Sequence, residues 1–291
     1  MERDDMILIS VDDHIAEPAD MFDRQVPAKY KDRAPRVETD ERGFQQWWYG
    51  EKPGRNLGLN AVAGKPREMF NVNPARYDDM RPGCYEVHER VRDMSAGGQL
   101  AGLNFPNWTG FSGQVLNEGP DLAVNEIMIK AYNDWHVDEW CAAHPERFIP
   151  CGILPLFAVD KAAAEVRRLA AKGCHAVTFS ENPAALHMPS IHSGHWDPLF
   201  GACSDEGTVL CCHVGSSSKS ASTLTISGIG GSVCVMFTPC CPASGAASKA
   251  TSSSNRRRSI SSKCRSRGRV KSTRICTTRS RRWISLSMIS I

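Results

Sequence analysis

Three short apolar runs in this 291-residue sequence end in side chains of metal-ligating type. Met6-Ile-Leu-Ile-Ser-Val11 runs straight into Asp12-Asp13-His14. Cys174 to Phe179 ends in Ser180-Glu181-Asn182-Pro183, and Thr208 to His213 ends in a histidine followed by Val214-Gly215. In an extended chain residues i and i+2 share a face, so Asp12 and His14 can point into the same space. A carboxylate with imidazoles suits Zn2+ first, with Mn2+ or Fe2+ as alternatives, and an incomplete ligand shell leaves room for water or substrate. Such a metal brings the pKa of water towards ~7 and makes hydroxide available. The other chemistry open to it is to hold a carboxylate or phenolate oxygen while a nearby acid protonates carbon.

Each of these residues also has a plainer reading. Asp-x-His is common by chance, and its place at the end of the first apolar run is what lifts it above that background. A lone His213 after an apolar strand can be a packed histidine. Glu181 before Asn-Pro can cap or satisfy loop amides. His187, His192 and His195 fall in a Pro/Gly/Ser stretch and read as solvent-facing or loop-bonded. Spacing places His136 on a helix surface and His144 at a helix end. Trp47-Trp48-Tyr49 reads as packing rather than as a ligand platform.

The elements that must position these groups alternate between strand and helix. Strands are expected at 6–11, 99–105, 148–156, 174–179 and 208–213. Helices are expected at 85–94, 120–144, from Asp160 as a cap to Gly173, and at 195–206. Residues 17–83, rich in Pro, Gly, Arg and aromatics, form a long excursion after the first strand and carry a small hairpin. Short apolar strands alternating with helices predict βα units and a parallel sheet. Pattern alone leaves Rossmann-type and barrel architectures open, although no Gly-x-Gly-x-x-Gly follows the first strand.

The formal charge of +3 hides a split. All 32 acidic residues and 21 of the 35 basic ones lie at or before Glu206, a net −11, whereas the last 85 residues hold 14 basic residues and no acid. No stretch reaches the ~18 apolar residues of a membrane span, and the first residues do not resemble a signal peptide. The twelve cysteines include adjacent pairs at 211–212 and 240–241, which lack zinc-finger spacing. These features predict a cytoplasmic protein with reduced thiols and no membrane partner. After Thr223 helical periodicity disappears and Ser, Arg, Cys and Thr dominate, as in Ser252-Ser-Ser-Asn-Arg-Arg-Arg-Ser259. The composition resembles an out-of-frame reading of GC-rich coding sequence; the other reading is a basic, disordered tail.

Several segments together resemble the amidohydrolase-related family, in the branch of aminocarboxymuconate-semialdehyde decarboxylase and γ-resorcylate decarboxylase. They are Ser10-Val-Asp-Asp-His-Ile-Ala-Glu-Pro18, Asp79-Met-Arg-Pro-Gly-Cys-Tyr85, Ala131-Tyr-Asn-Asp-Trp135, Pro145-Glu-Arg-Phe148, Thr178-Phe-Ser-Glu-Asn-Pro183 and His195-Trp-Asp-Pro-Leu199. The resemblance covers roughly residues 7 to 222 and implies an α/β fold, a (β/α)8 TIM-type barrel with one divalent metal, of which about five of eight βα units are recognisable. It puts Asp12 in the place of the first strand-1 ligand, His14 in that of the second, and His213 at strand 5; Glu181 gains no assured role. The family pattern also supplies a catalytic histidine after strand 6 and a metal-binding aspartate after strand 8. Here no histidine follows His213 and no aspartate follows Asp205, so no catalytic residue can be named.

The organisation expected is a partial barrel over 1–223 and a basic, irregular segment over 224–291. The chain reads as a metal-dependent hydrolase or non-oxidative decarboxylase for a small carboxylated or cyclic substrate, impaired as written. The resemblance further implies a homo-oligomer. The alternative is an inactive barrel fragment whose basic segment binds nucleic acid or acidic surfaces without sequence preference.

Overall fold

The structure is a computed structural model that describes residues 7–54, 57, 65–69 and 74–217, together with the backbone of three further strands at 234–237, 271–276 and 283–288. β1 (Leu8–His14) opens the fold, and α1 (Met21–Gln25) follows it. A three-stranded antiparallel sheet then forms from β2 (Arg36–Thr39), β3 (Gln45–Tyr49) and β4 (Lys52–Pro53). This small sheet is the hairpin expected within 17–83, extended by one short strand. α2 (Val87–Ala96) leads into β5 (Gln99–Phe105), and α3 (Gln114–Asn117) precedes α4 (Leu122–Trp135). β6 (Phe148–Ile149), α5 (Val159–Ala171), β7 (Ala176–Ser180), α6 (Asp197–Asp205) and β8 (Val209–His213) complete the alternation. Beyond them the described strands are β9 (Cys234–Phe237), β10 (Lys271–Cys276) and β11 (Trp283–Met288).

The first five strands of the alternating series run parallel and in chain order. β1 pairs with β5, with His14 opposite Phe105, and β5 pairs with β6. A parallel bridge between Gly152 and Val177 joins the next segment to β7, which pairs with β8 and sets Ser180 opposite His213. The carboxyl ends of all these strands therefore lie at one rim. The third strand is shorter than expected: only Phe148–Ile149 is regular, and Gly152 completes the connection through hydrogen bonds with Ala176 (3.0 Å) and Thr178 (2.7 Å).

Alternation along each strand sorts the side chains. Leu103, Phe105, Cys151, Ala176 and Cys211 pack together on the concave side, while Leu210 and Cys212 pack outward with Val166, Leu169, Leu199 and Ala202 of the covering helices. On the other flank, α4 and the small sheet share a core in which Trp47 stacks on Trp108 at 4.7 Å and meets Phe22 edge-on. Trp47 is packing, as its sequence suggests, whereas Tyr49 also borders a cavity.

Three expectations need correction. His136 is not on a helix surface: it is fully buried and stacks on Tyr132. It stands four residues after buried Tyr132 and seven after buried Ile129, so the period of α4 itself sets it on the covered face, and a π-helical turn over His136–Cys141 continues that helix. Asp160 does not cap α5, which starts at Val159 with Ala158 in the capping place and no side-chain cap. The segment expected to be irregular contains strands. β9 lies antiparallel on β8, with His213 opposite Cys234, and β10 and β11 form an antiparallel pair. The edge of β8 is thus occupied, though not by the parallel neighbour that a barrel would place there. Other residues of 224–291 fall outside the described ones, as does Met6 of the first strand.

Candidate metal centre

The three residues expected as ligands come together. Asp12 and His14 project from the carboxyl end of β1 and His213 from that of β8; one donor atom from each lies within 4.8 Å of the other two. His14 Nε2 is 3.2 Å from His213 Nε2, and Asp12 Oδ1 is 2.9 Å from His213 Nε2 and 3.8 Å from His14 Nε2. Two ligands each ~2.1 Å from a shared first-row cation stand roughly 3–4 Å apart, so these separations suit one ion. Adjacent strands are spaced about 4.8 Å. Across four such steps, from the first to the fifth strand, a flat sheet would hold the side chains about 19 Å apart. Curvature of the parallel wall is what closes that gap.

The chemistry of the donors fits a cation too. His213 Nδ1 donates to the Val214 carbonyl at 2.6 Å, which leaves the Nε2 lone pair facing the other two groups. Burial, and next the neighbouring His213, lower the His14 pKa from 6.5 to about 4 against the pull of Asp12. The ring is neutral at neutral pH and ready to ligate without losing a proton. Asp12 Oδ1 is buried and accepts no hydrogen bond, although buried carboxylate oxygens are ordinarily paired. Aromatic rings enclose the trio: Phe111 lies 4.8 Å from the His14 ring and 4.3 Å from that of His213, with Phe105 at 5.0 Å from His213.

The neighbouring acids do other work. Asp13, on the opposite face of β1, accepts from Ser10 (2.6 Å) and Gln99 (2.7 Å). Glu181 accepts from the Gly215 N–H (3.1 Å), the Ser217 hydroxyl (2.7 Å) and the Ser216 hydroxyl. It satisfies a loop, one of the readings its sequence allows. His187, His192 and His195 lie in the Pro/Gly/Ser loop away from this trio, with His195 edge-on to Trp196. His144 pairs with His88 at 2.9 Å on the surface. The seven described cysteines are free thiols, and burial pushes Cys212 up to about 12, so it is packed rather than reactive.

Sequence reasoning did not single out the neighbouring cavity. It has a volume of about 760 Å³ and is bounded in part by Tyr49, Lys52, Trp108, Phe111, Gln114 and Gly215. Asp12, His14 and His213 do not line it; Phe111 belongs both to its wall and to the surroundings of the imidazoles. Phe111 sits in an aperiodic Gly-Phe-Ser-Gly loop that carries no local signal. Glu17 was also passed over. It is fully buried and takes four hydrogen bonds from the loop after β5. Burial raises its pKa, and the donors at Trp108 and Thr109 pull it back down. Its one visible signal was a carboxylate wedged in Ile-Ala-Glu-Pro, just beyond the first strand.

A family model described as amidohydrolase matches residues 46–253. The match contains His213, begins after Asp12 and His14, and runs past the change of composition at Thr223. No curated protein matches the sequence. Among solved structures, an amidohydrolase from Mycobacterium avium subsp. paratuberculosis K-10 is similar, with 20% identity and a TM-score of 0.55 over 71% of this chain and 58% of its own. A 2,6-dihydroxybenzoate decarboxylase in complex with 2,6-dihydroxybenzoate aligns at 16% identity and a TM-score of 0.42, over 70% of this chain and 49% of its own. The 5-carboxyvanillate decarboxylase of Novosphingobium aromaticivorans DSM 12444 with bound manganese, in its D314N mutant form, aligns at 17% and 0.45, over 72% and 51%. The chain thus spans about half to three-fifths of the length of these structures.

Proposed function

Since the chain belongs to the amidohydrolase family, we propose that Asp12, His14 and His213 hold one divalent cation in a hydrolase or non-oxidative decarboxylase site. The observation that carries this reading is the convergence of three donors from the first and fifth parallel strands, one of them a buried carboxylate oxygen without a hydrogen bond. When bound, the cation supplies Lewis acidity, either to water for hydrolysis or to an anionic substrate oxygen during loss of a carboxylate. The chain's own residues fix the donors: the Val214 carbonyl orients His213, and Phe105 and Phe111 flank the two imidazoles. The adjoining cavity has the volume of a small-molecule site. Trp108, Tyr49 and Phe111 offer apolar contact to a cyclic substrate, and Lys52 offers a positive charge for a carboxylate. Zn2+ is the first choice for this donor set, with Mn2+ or Fe2+ next.

No histidine follows His213 and no carboxylate follows Glu206 in this chain. The proton-transfer and fourth-ligand roles implied by the family pattern are therefore unfilled here, and turnover is expected to be weak even when metal binds. Elemental analysis after equilibration with Zn2+ and desalting tests the site. About one equivalent is expected in the wild type, with loss in His14→Ala and His213→Ala. A content below about a tenth of an equivalent, unchanged by either substitution, would sink the assignment.

A further inference from the structure

Each imidazole lies against a loop that follows a strand, and each loop is held by one glutamate. His14 stands opposite Phe105 in the sheet with the two rings 6.0 Å apart, and the three residues after Pro106 are tied to Glu17. Glu17 Oε1 accepts the N–H groups of Asn107 (3.2 Å) and Thr109 (3.1 Å) and the Thr109 hydroxyl (3.1 Å), while Oε2 accepts the Trp108 N–H (2.9 Å). Tyr77 fixes the glutamate's own backbone by donating to its carbonyl at 2.6 Å. The His213 ring donates to the Val214 carbonyl, and the next three residues are tied to Glu181. Glu181 Oε1 accepts the Gly215 N–H and the Ser217 hydroxyl, and Oε2 accepts the Ser216 hydroxyl. The two loops are joined by the Ser112 hydroxyl, which donates to the Ser216 carbonyl at 2.9 Å.

We propose that Glu17 and Glu181 are positioning residues, each fixing one ligand histidine through the loop that lies against its ring: the loop after Phe105 for His14, and the loop whose Val214 carbonyl accepts the ring N–H for His213. This rests on the metal-site reading above. The physical reason lies in the number of donors per carboxylate. A loop of three residues leaves main-chain N–H groups that must find acceptors. A carboxylate has about four lone-pair positions and can gather such donors on a single side chain: three N–H groups and a hydroxyl at Glu17, one N–H and two hydroxyls at Glu181. Charge-assisted bonds are also stronger than neutral ones, so each loop is held in place. Groups that orient ligand histidines in this way commonly change metal affinity about 10- to 100-fold when lost.

The two clamps respond differently to an amide. Glu181→Gln keeps one carbonyl oxygen, and the Ser216 hydroxyl can turn to accept from the new NH2 group. Glu17→Gln sets an NH2 against the Trp108 N–H, or against those of Asn107 and Thr109, where no donor can become an acceptor. The test uses the full-length, chelator-stripped chain with 15N-labelled histidine. Ring-nitrogen NMR reports tautomer and hydrogen bonding at His14 and His213, and Zn2+ titration against a chromophoric chelator gives the affinity.

Glu181→Ala is expected to shift the His213 signals, leave those of His14 in place, and weaken Zn2+ about tenfold or more. Glu181→Gln is expected to restore both readouts to near the wild type. Glu17→Gln is expected to shift His14 and spare His213, a side-selectivity that general loosening of the fold would not produce. Should Glu17→Gln not fold, the half-buried Glu181 carries the test by itself. A folded Glu181→Ala with unchanged His213 signals and unchanged affinity would overturn the proposal. A wild type that binds no Zn2+, with Glu181→Ala still shifting His213 selectively, would sink the metal reading and uphold the clamp.

Discussion

At the site, the Asp12 oxygen nearest both imidazoles is buried without a hydrogen bond, so its charge is balanced only by what lies among the three donors. Replacing it with the isosteric amide, Asp12→Asn, should weaken Zn2+ binding about tenfold or more. The metal-free protein should be no less stable, because an unpaired buried charge has been removed. Calorimetric titration and thermal melts read both effects, and unaltered affinity would take Asp12 out of the ligand set. His136 gives the clearest acid response. Burial lowers its pKa from 6.5 to about 4, so between those values the unfolded chain binds a proton that the folded one refuses. Stability is therefore complete above pH 6.5 and falls as the pH drops through this window, by roughly 3 kcal/mol in all. Urea midpoints of His136→Phe should vary less over the same range, with a residual slope from His14, displaced in the same direction. Identical slopes in the two proteins would show that His136 is solvated.

Helix starts show how far local chemistry reaches. Asp121 precedes α4 in an extended conformation, and its side chain accepts the N–H groups of Ala123 (2.9 Å) and Val124 (3.3 Å). Asp160 has the right residue type but sits inside the first turn of α5, where it can offer only its charge to the helix dipole. Asp121→Ala should destabilise the protein clearly more than Asp160→Ala, as measured by denaturant unfolding; equal costs would contradict the capping geometry. The strands were easier to read. Gln99–Phe105 has the bounds expected of it, because a run of apolar residues closed by Pro106 leaves little freedom at either end. The third strand was overestimated because Pro150, Gly152 and Pro155 interrupt regular pairing in an otherwise apolar stretch.

The molecule as a whole is asymmetric at its two sheet edges. β9 covers β8, whereas β1 pairs with β5 and, among the described residues, with no strand on its other side. Ile7, Leu8 and Ile9 are 72%, 51% and 41% exposed there, and Leu100 on β5 is 48% exposed. An apolar edge with free backbone groups promotes association. Leu8→Lys should reduce concentration-dependent light scattering without changing Zn2+ content, and scattering that is unaffected would place the association elsewhere. No helix among the described residues is long and apolar enough to cross a membrane.

The period of two along an extended backbone is local. The sequence alone therefore determined that Asp12 and His14 share a face, that strands alternate with helices, and that ligand-type residues sit at strand ends. Whether position 213 meets positions 12 and 14 depends on the curvature of the sheet, which accumulates over pairings between residues up to a hundred apart and leaves no local periodicity. The same holds for the two glutamates that gather loop N–H and hydroxyl groups. Their roles are fixed by which loops the fold brings within hydrogen-bonding distance, and only the tertiary structure decides that.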